Sequence, residues 1–223
     1  MGRTVFWAFV GPVIFLVVVT GFSVVAGMQG VAPDAIGEVV AGQGSAILLV
    51  ALLIFAALTL SLLPLREIWR FRASFGGDVV IGGAMGVAVA LAYLWLLAPM
   101  LGWAQGTFGD YVPPGSVGTA VSGNLILFFV ANVILAPAVE ETVYRGFVLP
   151  RLVQTLGPAF GVILSCIAFG LLHWLGGLWY MVLTGVVAGG LFAGLRLWRG
   201  SLLAPFAAHL SLNLVEFAGA WLR

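Results

Sequence analysis

The stretch Val5–Met28 reads VFWAFVGPVIFLVVVTGFSVVAGM and contains no Asp, Glu, Lys or Arg. About 20 such residues, rising 1.5 Å each, cross the hydrocarbon core of a bilayer. The run is too long for the core of a signal peptide, so it predicts a retained helix. Met1-Gly2 opens like a myristoylation site, but Phe6 stands where that site needs Ser or Thr. The rest of the chain has the same character. Of 223 residues, 62% are hydrophobic and only 8% are Asp, Glu, Lys or Arg. A soluble domain carries roughly 25% charged residues. Eight acids and nine bases cannot clothe a water-facing surface of this size, which excludes an ordinary cytosolic domain, a nucleic-acid binder and a disordered chain. The 31 glycines suit close helix packing in lipid. The net charge of +1 implies no electrostatic partner. The single cysteine, Cys166, excludes an intrachain disulfide and leaves the redox compartment open.

Further apolar stretches run Ser45–Leu65, Val79–Leu101, Asn124 to about Leu149, and Ser201–Leu222. Pro158–Leu195 is too long for one crossing, and Gly176-Gly177 divides it in two. The expected fold is therefore all-α: a polytopic transmembrane bundle of about seven helices, forming one integral membrane domain over 1–223. Its first three helices occupy 1–101. Arginine placement supports the count. Arg3, then Arg66, Arg70 and Arg72, then Arg145 and Arg151, then Arg196 and Arg199 fall in alternate loops or at helix ends on one side. Only Arg223 falls on the other, with Asp34, Glu38 and Asp110. The positive-inside rule then sets the N-terminus inside and the C-terminus outside. Gly82–Gly86, Gly185–Gly189 and Gly190–Gly194 have close-packing spacings, equally suited to contacts within the chain or between copies.

Ionisable residues inside a membrane are costly and face a cavity or each other. Glu140, Glu141 and Arg145 lie on the fourth helix, His173 on the fifth, and His209, Asn213 and Glu216 on the seventh. Glu141 and Arg145 are four apart with the acid first, the favourable order for a helical ion pair. Glu140 is turned by about 100° and is left without a local partner, the setting of a general base or a metal ligand. Pro137 removes a helical hydrogen bond just ahead of the acids. Phe169 and His173 share one helix face, as do His209 and Asn213. Glu216 lies on that latter face too. It reads first as a carboxylate near the outer leaflet, and second as an extra ligand or supporting partner. The set supplies a base, a positioning group and oxyanion donors for attack of water on a carbonyl. It equally offers Glu140, His173 and His209 as three ligands for a divalent metal, most naturally Zn²⁺. No H-E-x-x-H motif is present. Depth fits imperfectly. With the fourth helix ending near Leu149, Glu140 and His209 lie roughly 14 and 12 Å from the inner ends of their helices, but His173 roughly 22 Å.

Glu140-Glu141-Thr-Val-Tyr-Arg145, Phe169-Gly-Leu-Leu-His173 and His209-Leu-Ser-Leu-Asn213 together resemble the CPBP family of intramembrane proteases, also called the CAAX-protease or Abi (bacteriocin-processing) family. The resemblance covers 124–215. It implies a membrane endopeptidase, often labelled a metalloprotease although a metal-free glutamate mechanism has also been argued. Its eukaryotic branch acts on prenylated proteins that lose a C-terminal tripeptide. By that similarity Glu140 activates water with His173, His209 and Asn213 stabilise the oxyanion, and Glu141 and Arg145 hold the site together, with Phe169 beside His173. The expected partners are the bilayer and a peptide or lipidated-protein substrate, with no nucleic acid. An oligomer is left open. Better-known members carry an eighth helix, so a partner or a second copy is expected to cover that side. The expected location is a bacterial inner membrane, with the site opening towards the cytoplasmic half. Two other readings compete: a non-catalytic bacteriocin-immunity or partner-binding protein on the same fold, and a proton-coupled transporter using the buried Glu and His.

Overall fold

Among the described residues each apolar stretch carries a helix, and short helices join them. The computed structural model describes residues 1–69, 74–112 and 124–221, with side chains to 219. Arg70, Arg72 and Arg223 lie outside the described residues. In chain order the helices are α1 (Gly2–Met28), α2 (Ile36–Gly42), α3 (Gly44–Leu62), α4 (Leu65–Ile68), α5 (Phe75–Phe108), α6 (Leu125–Leu156), α7 (Pro158–Leu172), α8 (Leu178–Arg199) and α9 (Leu203–Trp221). No strand occurs among the described residues. Five helices, α1, α3, α5, α6 and α8, are long and apolar enough to cross a membrane. α7, at 15 residues, is shorter.

The bundle is apolar outside and charged at its centre. Trp95, Ile126 and Val80 are 77%, 73% and 70% exposed, whereas Glu141 and Arg145 are fully buried. That is the reverse of a soluble protein and suits lipid as the surrounding solvent. The core joins α1 and α3 to the middle of α6, with Trp7, Phe55, Tyr144, Phe147 and Phe169 among its buried side chains.

Two of the three glycine pairs pack within the chain. A Cβ on Gly82 or Gly86 would overlap the backbone carbonyl of Ala204 or Ala208, so α5 lies directly on α9. A Cβ on Gly185 would stand 2.8 Å from the Cys166 carbonyl, which brings α8 onto α7. Gly190 and Gly194 have open space. These contacts stack α9 against α5 and fix the height of His209.

The turn between α7 and α8 forms where Gly176-Gly177 was expected to divide the stretch. A 3₁₀ turn, Trp174–Gly176, ends at Gly177, whose φ of +100° favours a residue without a Cβ. Asp110 caps the next helix: its carboxylate accepts the N–H groups of Leu178 at 2.8 Å and Trp179 at 3.3 Å. The Tyr111 hydroxyl donates to the Trp174 carbonyl. The end of α5 is thus tied to the loop that carries His173.

The fourth helix runs further than its sequence suggested. It was expected to end near Leu149 but continues to Leu156, because Pro150 sits in the first turn of the α-helical segment Leu149–Leu156 and does not break it. This removes the depth mismatch. Glu140 lies about sixteen residues before the α6–α7 turn, roughly 24 Å, and His173 about fifteen residues after it, roughly 22 Å. The α8–α9 turn sits further in: Leu202 packs beside Gly146. Glu140 and His209 are about one and a half to two turns from that level, so all three groups share a plane.

Candidate active site

α6 is irregular where the acids sit. Two π-helical stretches, Phe129–Leu135 and Glu141–Val148, flank the α-helical Ala136–Glu140. Proline has no N–H, so Pro137 cannot satisfy the carbonyl that a π turn would pair with it, that of Asn132. Asn213 on α9 takes that carbonyl: its Nδ2 donates to Asn132 O at 2.7 Å. The irregular backbone of α6 is thus tied to α9 beside the acids.

Glu141 and Arg145 form the expected pair, Arg145 Nη1 to Glu141 Oε1 at 3.5 Å, both fully buried. Arg145 has further contacts. Its Nη2 donates to Gly189 O at 3.2 Å. Its guanidinium lies 3.9 Å from the Phe169 ring centroid and 5.2 Å from that of Phe192. The same Glu141 Oε1 lies 2.9 Å from His209 Nδ1. A carboxylate oxygen accepts, so Nδ1 carries the proton and Nε2 is left for the cavity. Phe192 stacks on the His209 ring at 4.8 Å and 24°, which fixes its plane. Arg145, Glu141 and His209 thus form a buried chain drawn from two helices.

His173 ends α7. Its Nδ1 lies 2.9 Å from the Phe169 carbonyl, which can only accept, so here too Nε2 is left over. Its ring stands 4.9 Å from Phe169 and 5.9 Å from Tyr180. Glu140 is different from its neighbour: buried, with no hydrogen-bond partner for Oε2. Glu141 Oε2 and Arg145 Nε likewise lack a partner, so the polar centre is not closed on itself.

Glu140, Phe169, His173, His209, Asn213 and Glu216 all line one cavity of about 740 Å³. Phe169 therefore does more than flank His173: it lies between the Arg145 guanidinium and the two imidazoles. The cavity draws on the Arg-poor halves of the helices, from Gln105 and Gly176 at one end to Glu140 and His209 at the other, and no arginine among the described residues lines it. Arg145 Nη2 donates to Gly189 O and Arg196 Nε to Arg145 O, which ties α6 to α8 beside the site.

The three candidate metal ligands do not assemble. Among the described residues no group of three His, Cys, Asp or Glu comes together to hold an ion. Both imidazoles commit Nδ1 to protein acceptors and keep Nε2 free, and Glu141, the carboxylate nearest His209, is engaged by Arg145.

Asn132, Phe192 and Asp110 were not legible as site residues. The single hint for Asn132 was an amide inside an apolar run.

A helical bundle with an apolar exterior, a buried acid–guanidinium–imidazole chain and an unpartnered carboxylate on a cavity defines a class of polytopic membrane protein built around a polar site. The family model described as Type II CAAX prenyl endopeptidase Rce1-like matches residues 122–215. That stretch holds all three motifs and α6 to α9 up to Val215, and this part of the chain is similar to the type II CAAX prenyl endopeptidases that the model describes. No curated protein and no solved structure matches the chain.

Proposed function

We propose that the protein is an intramembrane endopeptidase, an integral membrane domain over 1–223 that hydrolyses a peptide bond of a membrane-associated substrate. It crosses the bilayer seven times, N-terminus inside and C-terminus outside, and its cavity opens on the Arg-poor side. One observation carries the reading: adjacent glutamates are divided between the cavity and the buried ion pair. Glu141 is held through Oε1 by Arg145 and His209, whereas Glu140 lines the cavity with no ion-pair partner among the described residues.

The chemistry follows from that division. Water in the cavity gives a proton to Glu140 as its oxygen attacks the scissile carbonyl carbon. The carbonyl π pair moves onto oxygen. Asn213 has a second N–H beyond the one given to Asn132 and donates it to that oxyanion, and a doubly protonated His209, its Nδ1–H held by Glu141, donates Nε2–H to the same oxygen. Glu141 stabilises positive charge on His209 whenever Nε2 carries a proton, and Arg145 keeps Glu141 oriented. His173 Nε2 positions the water. Collapse of the intermediate breaks the C–N bond, and Glu140 returns its proton to the leaving nitrogen. No step passes through a metal.

The test is cleavage of membrane-peptide and prenylated-peptide panels by purified protein. Glu140→Gln removes the base without changing size and lowers the rate by at least roughly 100-fold, with the thermal transition retained. Treatment with a strong chelator leaves the wild-type rate within about twofold. Cleavage that survives Glu140→Gln overturns the reading.

A further inference from the structure

Glu216 is a partly buried carboxylate on α9 that the hydrolytic machinery leaves unused. It lines the same cavity as Glu140, His209 and Asn213. The other acids of the bundle interior have partners. Glu141 has Arg145 and His209, and Asp78 has Arg199 at 2.7 Å. Glu140 is occupied by the reaction. Glu216 has neither a hydrogen bond nor an ion pair among the described residues. Among the described residues no arginine lines the cavity, and the chain contains no lysine, so those residues provide no guanidinium or ammonium counter-charge there. An unpaired carboxylate in a membrane interior is costly unless something pairs with it. Two tyrosines, Tyr93 and Tyr180, line the same cavity. A carboxylate with aromatic rings is the chemistry that receives an ammonium or guanidinium group.

We propose that Glu216 is a specificity residue that receives a cationic side chain or a free amino group of the substrate. The inference rests on the proteolytic reading above. Its register is set by the helix. Glu216 is two turns beyond His209 on one face of α9, about 10 Å along the axis. An extended peptide advances about 3.3 Å per residue, so the cation lies about three residues from the bond that is cut. The same carboxylate repels a negative charge at that register, so a substrate whose free C-terminal carboxylate falls there is a poor one.

The experiment uses the full-length protein in proteoliposomes and peptides in which one Lys, norleucine or Glu is moved through the four positions on each side of the cleaved bond. Some members end three residues past the bond, as free acid or amide. The expected result is a kcat/KM roughly tenfold or more higher for Lys than for norleucine about three residues out on one side, the size of a charge-assisted contact. In Glu216→Gln that ratio falls towards one, and in Glu216→Arg the Glu peptide overtakes the Lys peptide. Ratios taken within one variant are insensitive to partial loss of folded protein. Equal rates for Lys and norleucine at every position overturn the proposal, as does a Lys preference that survives in Glu216→Gln. A separate arm measures binding of fluorescent Lys and norleucine peptides to the Glu140→Gln protein. If no peptide is cut yet Lys peptides bind more tightly through Glu216, the subsite stands and the proteolytic reading fails. Equal binding with normal cleavage removes the subsite alone.

Discussion

Glu140 and Glu141 are adjacent, yet their substitution has opposite consequences. Glu141→Ala strips the buried Arg145 of its acid and His209 of its acceptor, because both converge on Oε1. An uncompensated charge at the centre of the bundle costs about 3–5 kcal/mol, seen as a lowered thermal transition in detergent. Glu140→Gln leaves no charge stranded and keeps the fold while removing cleavage. Finding both variants equally destabilised would contradict the division of roles. At the same scale His173 and His209 are distinguished by what holds Nδ1: a backbone carbonyl for the first and a carboxylate for the second. Substitution of His209 is therefore coupled to Glu141, and a double-mutant cycle of the two departs strongly from additivity.

At the scale of elements, Asp110 joins α5, the His173 loop and α8. It is held below the usual carboxylate range. Burial pushes it up, but the N–H groups of Leu178, Trp179 and Tyr111 and the Gln105 amide outweigh that. Its stabilising contribution is therefore present above the ordinary carboxylate pKa and is lost as pH falls through the depressed value, below about 4. Asp110→Ala removes the cap at a cost of about 1 kcal/mol, whereas Asp110→Asn keeps an acceptor and loses less. Hydrogen exchange at the Leu178 and Trp179 amides reads this directly; unchanged protection in Asp110→Ala would disprove the cap. The α5–α9 contact is stricter. Gly86→Ala drives a methyl into the Ala208 carbonyl and displaces the turn that carries His209, costing about 1–3 kcal/mol. Gly190→Ala enters open space and stays within about 0.5 kcal/mol. Thermal unfolding of the two variants side by side tests the pairing.

For the whole molecule, none of the described arginines lines the cavity, whose walls come from the Arg-poor stretches of the sequence. If the positive-inside rule holds, substrate reaches the site from the extracytoplasmic side. The expected outcome in a variant lacking Cys166 is that cysteines at Asp34 and Asp110 react with an impermeant maleimide in intact cells. Cysteines at Gly2 and Arg66 react only after lysis. The reverse pattern would invert the topology and put the cavity mouth in the cytoplasm.

Sequence alone determined what depends on local pattern. Apolar runs mark helices because length and hydropathy are properties of a segment, and the Glu141–Arg145 pair is legible because four residues make about one turn. The scarcity of charge made Glu140, His173 and His209 visible as residues that no water-facing surface requires. What the local pattern could not carry was decided by packing between distant segments. The extension of α6 to Leu156 levelled His173 with Glu140. The Pro137 irregularity freed the Asn132 carbonyl for Asn213, eighty-one positions away. Glu141 reached His209 across sixty-eight. Gly82 and Gly86 faced α9 while Gly190 and Gly194 faced nothing, although all have one spacing.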